Sequence, residues 1–421
     1  MKVAMINTSD RRGGAAVAAY RLKRALSDSG TEVKLIVRDK MTEDPQVVSV
    51  DTGLLRRLRN RFRFLWERLV IFRQNGFSRK NLFAVSIADT GVDLSRMPEI
   101  RDADIIHLHW INQGLLSLRG LEKLLALGKP VVWTLHDMWA LTGICHHAWT
   151  CHRYETECGK CPFLGSRREN DLSSRVFWRK KIIYDRFPGL RLVPVSRWLE
   201  DKSRAGALTW NLPAVAIPNP IDTGFFRPGD RQEARRTLGF PETQKILLMG
   251  AARIDDPVKG FSSLKEALHL LDPDIRKDIL LVLFGGIKNE KEALTALPVE
   301  FVWRQTVSDP QELRKLYRCA DLFLAPSMED NLPNTVMESL ACGTPVAGFR
   351  TGGIPEMVDH RENGYLADRG DNTGLARGIE WVLNHPHPEE LSDRARLKIL
   401  TCFTIEGVAK QYLGLYRSLM K

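Results

Sequence analysis

No run among the 421 residues approaches the roughly 18–20 consecutive apolar side chains a spanning helix needs, which excludes a transmembrane segment. The start of the chain, Met1 to Ile6, has one lysine and then four apolar residues before Asn7. That is too short for the apolar region of a signal peptide and reads as a first buried strand. A cytoplasmic protein is expected. Cysteine is scarce, with seven in all, and a chain of this length in a reducing compartment does not rest on a disulfide framework. Neither GxGxxG nor GxxxxGK[ST] occurs, so neither a dinucleotide fingerprint nor a Walker loop is present. No clear Asp-x-Asp metal pair follows a strand-like run, Asp255 and Asp256 being adjacent. No short repeat or low-complexity tract appears.

Acid is nearly absent from one segment. Leu54 to Lys80 holds nine basic residues against a single acid, Glu67, a net +8 within a chain whose total is +11. Leu55, Leu58, Phe62, Leu65, Leu69 and Phe72 recur there at alternating spacings of three and four, one stripe of a helix, with Trp66 beside it. Two readings follow. In one, the stripe packs on the protein and leaves the arginines solvated. In the other, the helix lies on an anionic membrane surface, and both can hold together.

Elsewhere, short continuous apolar runs alternate with helical patterns. Val3–Ile6, Val33–Val37, Ile105–Leu108, Val131–Thr134 and Leu192–Val195 read as strands buried on both faces. So do Ile246–Met249, Leu280–Phe284, Leu322–Ala325 and Val346–Gly348. Helices are expected between them, including Ala15–Ser29, Leu115–Leu127, Phe261–Leu271, Pro310–Cys319 and Asn334–Ala341. This order implies an α/β protein with two doubly wound parallel sheets. The proline-rich stretch Ile217 to Asp222 separates the two series, giving expected domains 1–217 and 218–402, with a terminal helix over 403–421 free to pack on either.

Ligands of such sheets bind beyond the carboxyl ends of strands. Gly13-Gly14 follows the first strand, where backbone amides can approach an anion or sugar, or simply form a tight turn. His107 and His109 alternate along the third run, so at most one faces a site; His136-Asp137 follows the fourth. Arg253 and Lys259 lie in the loop after the first strand of the second half, where a guanidinium and an ammonium suit a diphosphate. Pro326 to Glu338 runs from a strand into a helix, with Asp330 in the loop, Glu338 in the helix, and the amides of Asn331 and Leu332 near the helix start.

Cys145, Cys151, Cys158 and Cys161 fall within seventeen residues, and the Cys-x2-Cys end is typical of zinc knuckles. A structural zinc is expected there, against the alternative of buried free thiols or a redox-labile pair. His146, His147 and His152 are spare ligands.

Taken together these motifs resemble the retaining GT-B glycosyltransferases of the family 4 type. Pro326–Val346 is similar to that family's E-x7-E block and the Ala-Cys-Gly-Thr-Pro-Val after it, with Asp330 in place of the first glutamate. Arg253 with Lys259-Gly260 matches its phosphate-binding pair, and Asn219 to Pro228 its interdomain linker, with Pro220 for the usual glycine. Gln305 stands where glycine is usual before the Val307-Ser308-Asp309 turn. Ile105–Trp110, Thr134–Asp137 and the four cysteines look most like the bacterial exopolysaccharide (colanic-acid-type) subgroup.

The resemblance implies two Rossmann-like domains facing a central cleft. It implies transfer of a sugar from a UDP- or GDP-sugar to a lipid-linked saccharide at the inner face of the cytoplasmic membrane, with no catalytic cofactor. Arg253 and Lys259 would hold the diphosphate, Glu338 the ribose, and Asp330 with the Asn331 and Leu332 amides the sugar. His136 would sit by the reacting carbon, with Gly13, Gly14, His109 and Asp137 on the acceptor and sugar side. The competing reading is a non-catalytic scaffold that binds sugar nucleotides. Nothing near the basic segment resembles a nucleic-acid reading module.

Overall fold

The computed structural model describes residues 1–420. The chain divides into two units, one of residues 1–220 joined by Val408 onward, the other of residues 221–407. Each is built on a six-stranded sheet whose strands all run parallel.

In the first unit the strands are β1 (Lys2–Ser9), β2 (Glu32–Asp39), β3 (Val47–Ser49), β4 (Ile105–Leu108), β5 (Val131–Leu135) and β6 (Arg191–Pro194), in the order 3-2-1-4-5-6. In the second they are β7 (Lys245–Arg253), β8 (Ile279–Gly286), β9 (Glu300–Trp303), β10 (Leu322–Ala325), β11 (Val346–Phe349) and β12 (Gly364–Ala367). Their order, 12-11-10-7-8-9, is the same winding. Each sheet therefore reverses direction once, between β1 and β4 and between β7 and β10, and the connections diverge there. The continuous apolar runs are buried on both faces because helices cover both sides.

Three strands carry no such run. β3, β9 and β12 are three of the four outermost strands, and their mixed residues reflect partial exposure. The Leu115–Leu127 pattern yields a shorter helix, Leu118–Leu125, because the Ser117 side chain accepts from Gly120 N and caps it. Leu115 and Leu116 are buried all the same.

The helix Ile405–Leu419 sends two tyrosines into the first unit. The Tyr416 hydroxyl bonds His107 Nδ1 at 2.7 Å, His107 Nε2 bonds Thr134 Oγ1 at 2.7 Å, and Thr134 Oγ1 bonds the Tyr412 hydroxyl at 2.8 Å. His107 thus belongs to the core, where burial holds its pKa down to about 3.

The basic segment does form a helix, Leu54–Gln74, and it docks by the face opposite the apolar stripe. The buried side chains are Asn60, Glu67, Arg68 and Ile71. Glu67 accepts from the Ile87 and Ala88 amides at 2.7 and 3.2 Å and pairs with Arg68 at 3.0 Å. Arg68 donates to the Leu82 and Val85 carbonyls. The stripe points outward, with Leu55 83%, Phe62 63% and Leu69 57% exposed. The packing reading of the stripe is corrected by this geometry. Apolar periodicity marks two faces of a helix but does not say which one meets the protein, and here a buried ion pair decides.

Glu67→Ala should therefore cost far more than Leu65→Ser. The first strands Arg68 and two amides, a loss of about 3–5 kcal/mol in urea unfolding; the second changes an outward residue and should stay within about 0.5 kcal/mol. Equal losses would refute the docking described.

Candidate functional site

The candidate residues gather where the sheets reverse. In the second unit β7 ends at Arg253, and a short 3-10 turn, Pro257–Lys259, carries the chain to Gly260. Gly260 has φ 68°, and a Cβ there would lie 1.8 Å from the Pro326 carbonyl oxygen. Only glycine lets this loop lie against the one after β10. The loops are sewn together by Met328 N donating to the Val258 carbonyl at 2.8 Å, and by Lys259 Nζ on Asp330 Oδ2 at 2.6 Å.

A third loop, after β11, was not singled out in the sequence, although Thr351-Gly352-Gly353 at a strand end was a readable signal. Gly352 has φ 54° and would place a Cβ 1.6 Å from the Asp330 carbonyl oxygen; Gly353 N donates to that oxygen at 3.1 Å. Thr351 Oγ1 donates to the Ser327 carbonyl at 2.7 Å. Asp330 is thus held from two sides. Glu338, buried in the helix Asn334–Ala341, accepts from the Tyr317 hydroxyl at 2.8 Å. That helix begins after Pro333 with no side-chain cap, and Leu332 is buried just before it. Arg253, half exposed, pairs with Asp256 at 2.8 Å and Asp255 at 3.5 Å. Arg253 and Lys259, the cations expected to hold a diphosphate, therefore both rest on carboxylates. Gln305 takes φ 51°, the left-handed region that favours glycine, and its carbonyl accepts from Gly285 N.

In the first unit Gly13 (φ 92°) precedes the helix Gly14–Asp28, which has no side-chain cap. Ser9 Oγ accepts from the Arg11 and Arg12 amides at 3.3 and 3.1 Å, curling the loop. Buried His109 and half-buried His136 meet through Nδ1 and Nε2 at 3.0 Å. Burial lowers the His136 pKa to about 4 and that of His109 well below its ordinary value, so both rings are neutral near pH 7.

Asp137 is fully engaged by the fold. It accepts from Trp110 Nε1 and the Trp139 amide, each at 2.8 Å, and from His146 Nδ1 at 2.7 Å. Burial works to raise its pKa, but His146 and these bonds outweigh it and hold the carboxyl at about 2.

The expected zinc site is not formed. Among the described residues no three His, Cys, Asp or Glu side chains come together to hold a metal. Cys145, Cys151, Cys158 and Cys161 are free thiols. Cys145 and Cys161 are packed into the apolar core of the unit. Cys158 Sγ accepts from Gly143 N at 3.2 Å. Burial pushes Cys158 up to about 11 and Cys161 to about 12.

Comparison with known proteins agrees with the fold. Residues 12–225 match the family described as Glycosyltransferase Family 4, and residues 230–398 that described as Glycosyl transferases group 1. A D-inositol 3-phosphate glycosyltransferase of Thermobispora bispora is 25% identical over 391 residues, covering 89% of this chain and 82% of the relative. Several other curated relatives align over only about half of their own length. Among solved structures, sucrose-phosphate synthase from Thermosynechococcus elongatus superposes with a TM-score of 0.69 at 18% identity, over 100% of this chain and 99% of that one. Anabaena Alr3699/HepE in complex with UDP-glucose gives 0.64 at 15%, over 99% and 100%.

The buried histidines generate a pH dependence. In the unfolded chain they titrate near 6.5, while His107 and His136 in the fold titrate at about 3 and 4. Between those values the unfolded state binds more protons. Their stabilising contribution is complete above pH 6.5 and is lost as the pH falls toward 4. Melting temperature should fall on acidification from pH 7 to 5, and imidazole NMR should show both rings neutral at pH 5. Titration of either near 6.5 would contradict the burial argument.

Proposed function

The chain belongs to Glycosyltransferase Family 4 and has the GT-B fold of two doubly wound units, and on that premise we propose that it transfers a sugar from a nucleoside diphosphate sugar to a phosphate-bearing, lipid-linked saccharide acceptor, with retention and without a catalytic metal. The observation that carries this reading is the joining of Lys259 to Asp330 across the ends of β7 and β10, with Arg253 on the same loop.

In the proposed reaction the bond from the anomeric carbon to the diphosphate oxygen breaks, and negative charge grows on the leaving group. Arg253 and Lys259 offset that charge most in the transition state, the work a divalent cation can do in other transferases. Donor binding exchanges their present carboxylate partners for phosphate oxygens. This frees the Asp330 carboxylate for hydroxyls of the transferred sugar, while Glu338, oriented by Tyr317, takes the ribose hydroxyls. The acceptor hydroxyl attacks the face that the diphosphate leaves, and a phosphate oxygen takes its proton. Neutral His136 serves as a hydrogen-bonding partner of the sugar, oriented by His109.

Two neighbours support the donor and acceptor chemistry. The HepE structure holds UDP-glucose, so a UDP-sugar is the first donor to test. The D-inositol 3-phosphate glycosyltransferases carry a phosphorylated acceptor in their name. The glycine turn Gly13-Gly14 at a helix start is suited to an acceptor phosphate. A lipid-linked acceptor in exopolysaccharide, capsule or O-antigen synthesis would bear such a group and would place the protein at the anionic inner face of the cytoplasmic membrane.

Thermal shift across UDP- and GDP-sugars should pick out one donor, and mass spectrometry should then detect its transfer or hydrolysis. Donor binding without any turnover would favour the scaffold reading. Arg253→Ala and Lys259→Ala should each lower turnover by about two to three orders of magnitude, the scale of losing one preorganised charge, with little change in melting temperature. Near wild-type turnover in either would remove the diphosphate assignment.

A further inference from the structure

The helix Leu54–Gln74 leaves a question that sugar transfer does not answer. Its polar face is spent inside the unit on Asn60, Glu67 and Arg68, and its apolar face is exposed, save that the Trp66 side chain bonds the Asp89 carboxyl. Leu55, Leu58, Phe62, Leu65, Trp66 and Leu69 are each more than 40% exposed along one side. Phe62 and Trp66 stack at 6.3 Å between ring centroids, so two of the largest side chains form one outward ridge. The helix cannot roll to hide them without pulling the Glu67–Arg68 pair and its four backbone partners into water or apolar surroundings.

The charge around the stripe selects what can cover it. Arg56, Arg57, Arg59, Arg61 and Arg73 are exposed on the same helix, and its only acid, Glu67, is buried. A second copy laid stripe to stripe would bring arginines against arginines with no carboxylate of the helix to answer them. Bulk water leaves the apolar side unsatisfied. An anionic bilayer meets both demands, since acyl chains take the stripe and lipid phosphates take the guanidinium groups. A helix of 21 residues spans about 31 Å. Among the described residues no helix is long and apolar enough to cross a membrane, so this one lies in the interface plane.

We infer that Leu54–Gln74 inserts its outward stripe into the acyl boundary of an anionic leaflet, with the arginines at head-group level. The attachment is hydrophobic insertion guided by charge, not adsorption by charge alone. This names the membrane partner of the reading above and rests on that reading only for the choice of leaflet.

The test uses the full chain with vesicles of phosphatidylcholine alone or mixed with phosphatidylglycerol, without donor or acceptor. Binding to the mixed vesicles is expected. Lipids brominated in the acyl chains should quench fluorescence, and much of that quenching should be absent in Trp66→Phe. High salt should weaken binding, while the protein still bound remains quenched. Leu65→Ser combined with Leu69→Ser should lower vesicle affinity by about tenfold or more while circular dichroism stays unchanged.

Three results would overturn the inference. One is no binding to anionic vesicles. Another is binding that Arg56→Gln with Arg59→Gln abolishes but the double serine variant leaves intact, with no acyl-chain quenching. The third is a stripe-dependent dimer in solution that ignores vesicles. Turnover plays no part in the readout, so a failed donor assignment leaves this result standing, and failed vesicle binding leaves sugar transfer standing.

Discussion

Lys259 and Asp330 come from loops that the chain separates by seventy residues, and their ion pair, beside the Met328 amide on the Val258 carbonyl, fixes the charged groups at the ends of β7 and β10 against each other. The winding of the sheet brings those strand ends side by side but leaves the loops free to diverge. Closure depends on two glycines that allow backbone to lie on backbone, Gly260 on Pro326 and Gly352 on Asp330. A side chain at either position would push the carboxylate away from the ammonium. Because Arg253 also rests on Asp256, the ligand-free surface is nearly neutral where a diphosphate would need it positive. An anion must compete with built-in carboxylates. Its affinity is a difference between two sets of ion pairs, which favours a polyanion able to engage both cations together.

The sheets were legible in the sequence for a simple reason. A strand buried on both faces must be apolar without interruption, and Ile246–Met249 or Ile105–Leu108 has no other account. The edge strand Glu300–Trp303 is partly exposed and escapes notice, whereas the edge strand Arg191–Pro194 is buried and shows its run. Candidate residues at strand ends were legible by the same logic, because Arg253, Lys259 and Asp330 are polar groups placed immediately after apolar runs. What holds them in position was not. Tyr317 on Glu338 and Tyr416 on His107 are contacts across distant parts of the chain, and nothing local to a tyrosine in an amphipathic helix announces its partner.

Two readings failed on burial, which sequence reports poorly. The spacing of Cys158 and Cys161 suits a metal knuckle, yet spacing cannot tell a thiol facing a ligand set from one packed in a core. The stripe of Leu54–Gln74 was recognised as a stripe, but which side met the protein stayed open, and the reading that packed it inward is the one that fails. Polar residues such as Asn60 and Glu67 look solvent-facing until the amides of Ile87 and Ala88 are seen to need an acceptor.

The return of Ile405–Leu419 to the first unit has a consequence for how the protein is made. That unit is largely translated before residue 221, yet the hydroxyls that complete its core arrive only after all of residues 221–407 have followed. At about 5–20 residues per second, that interval is on the order of tens of seconds. Throughout it His107 and Thr134 lack their tyrosine partners, and the groove meant for Tyr412 and Tyr416 stays open on the ribosome. The second unit, uninterrupted in sequence, can finish first. The two units are thus written in one order and completed in the other.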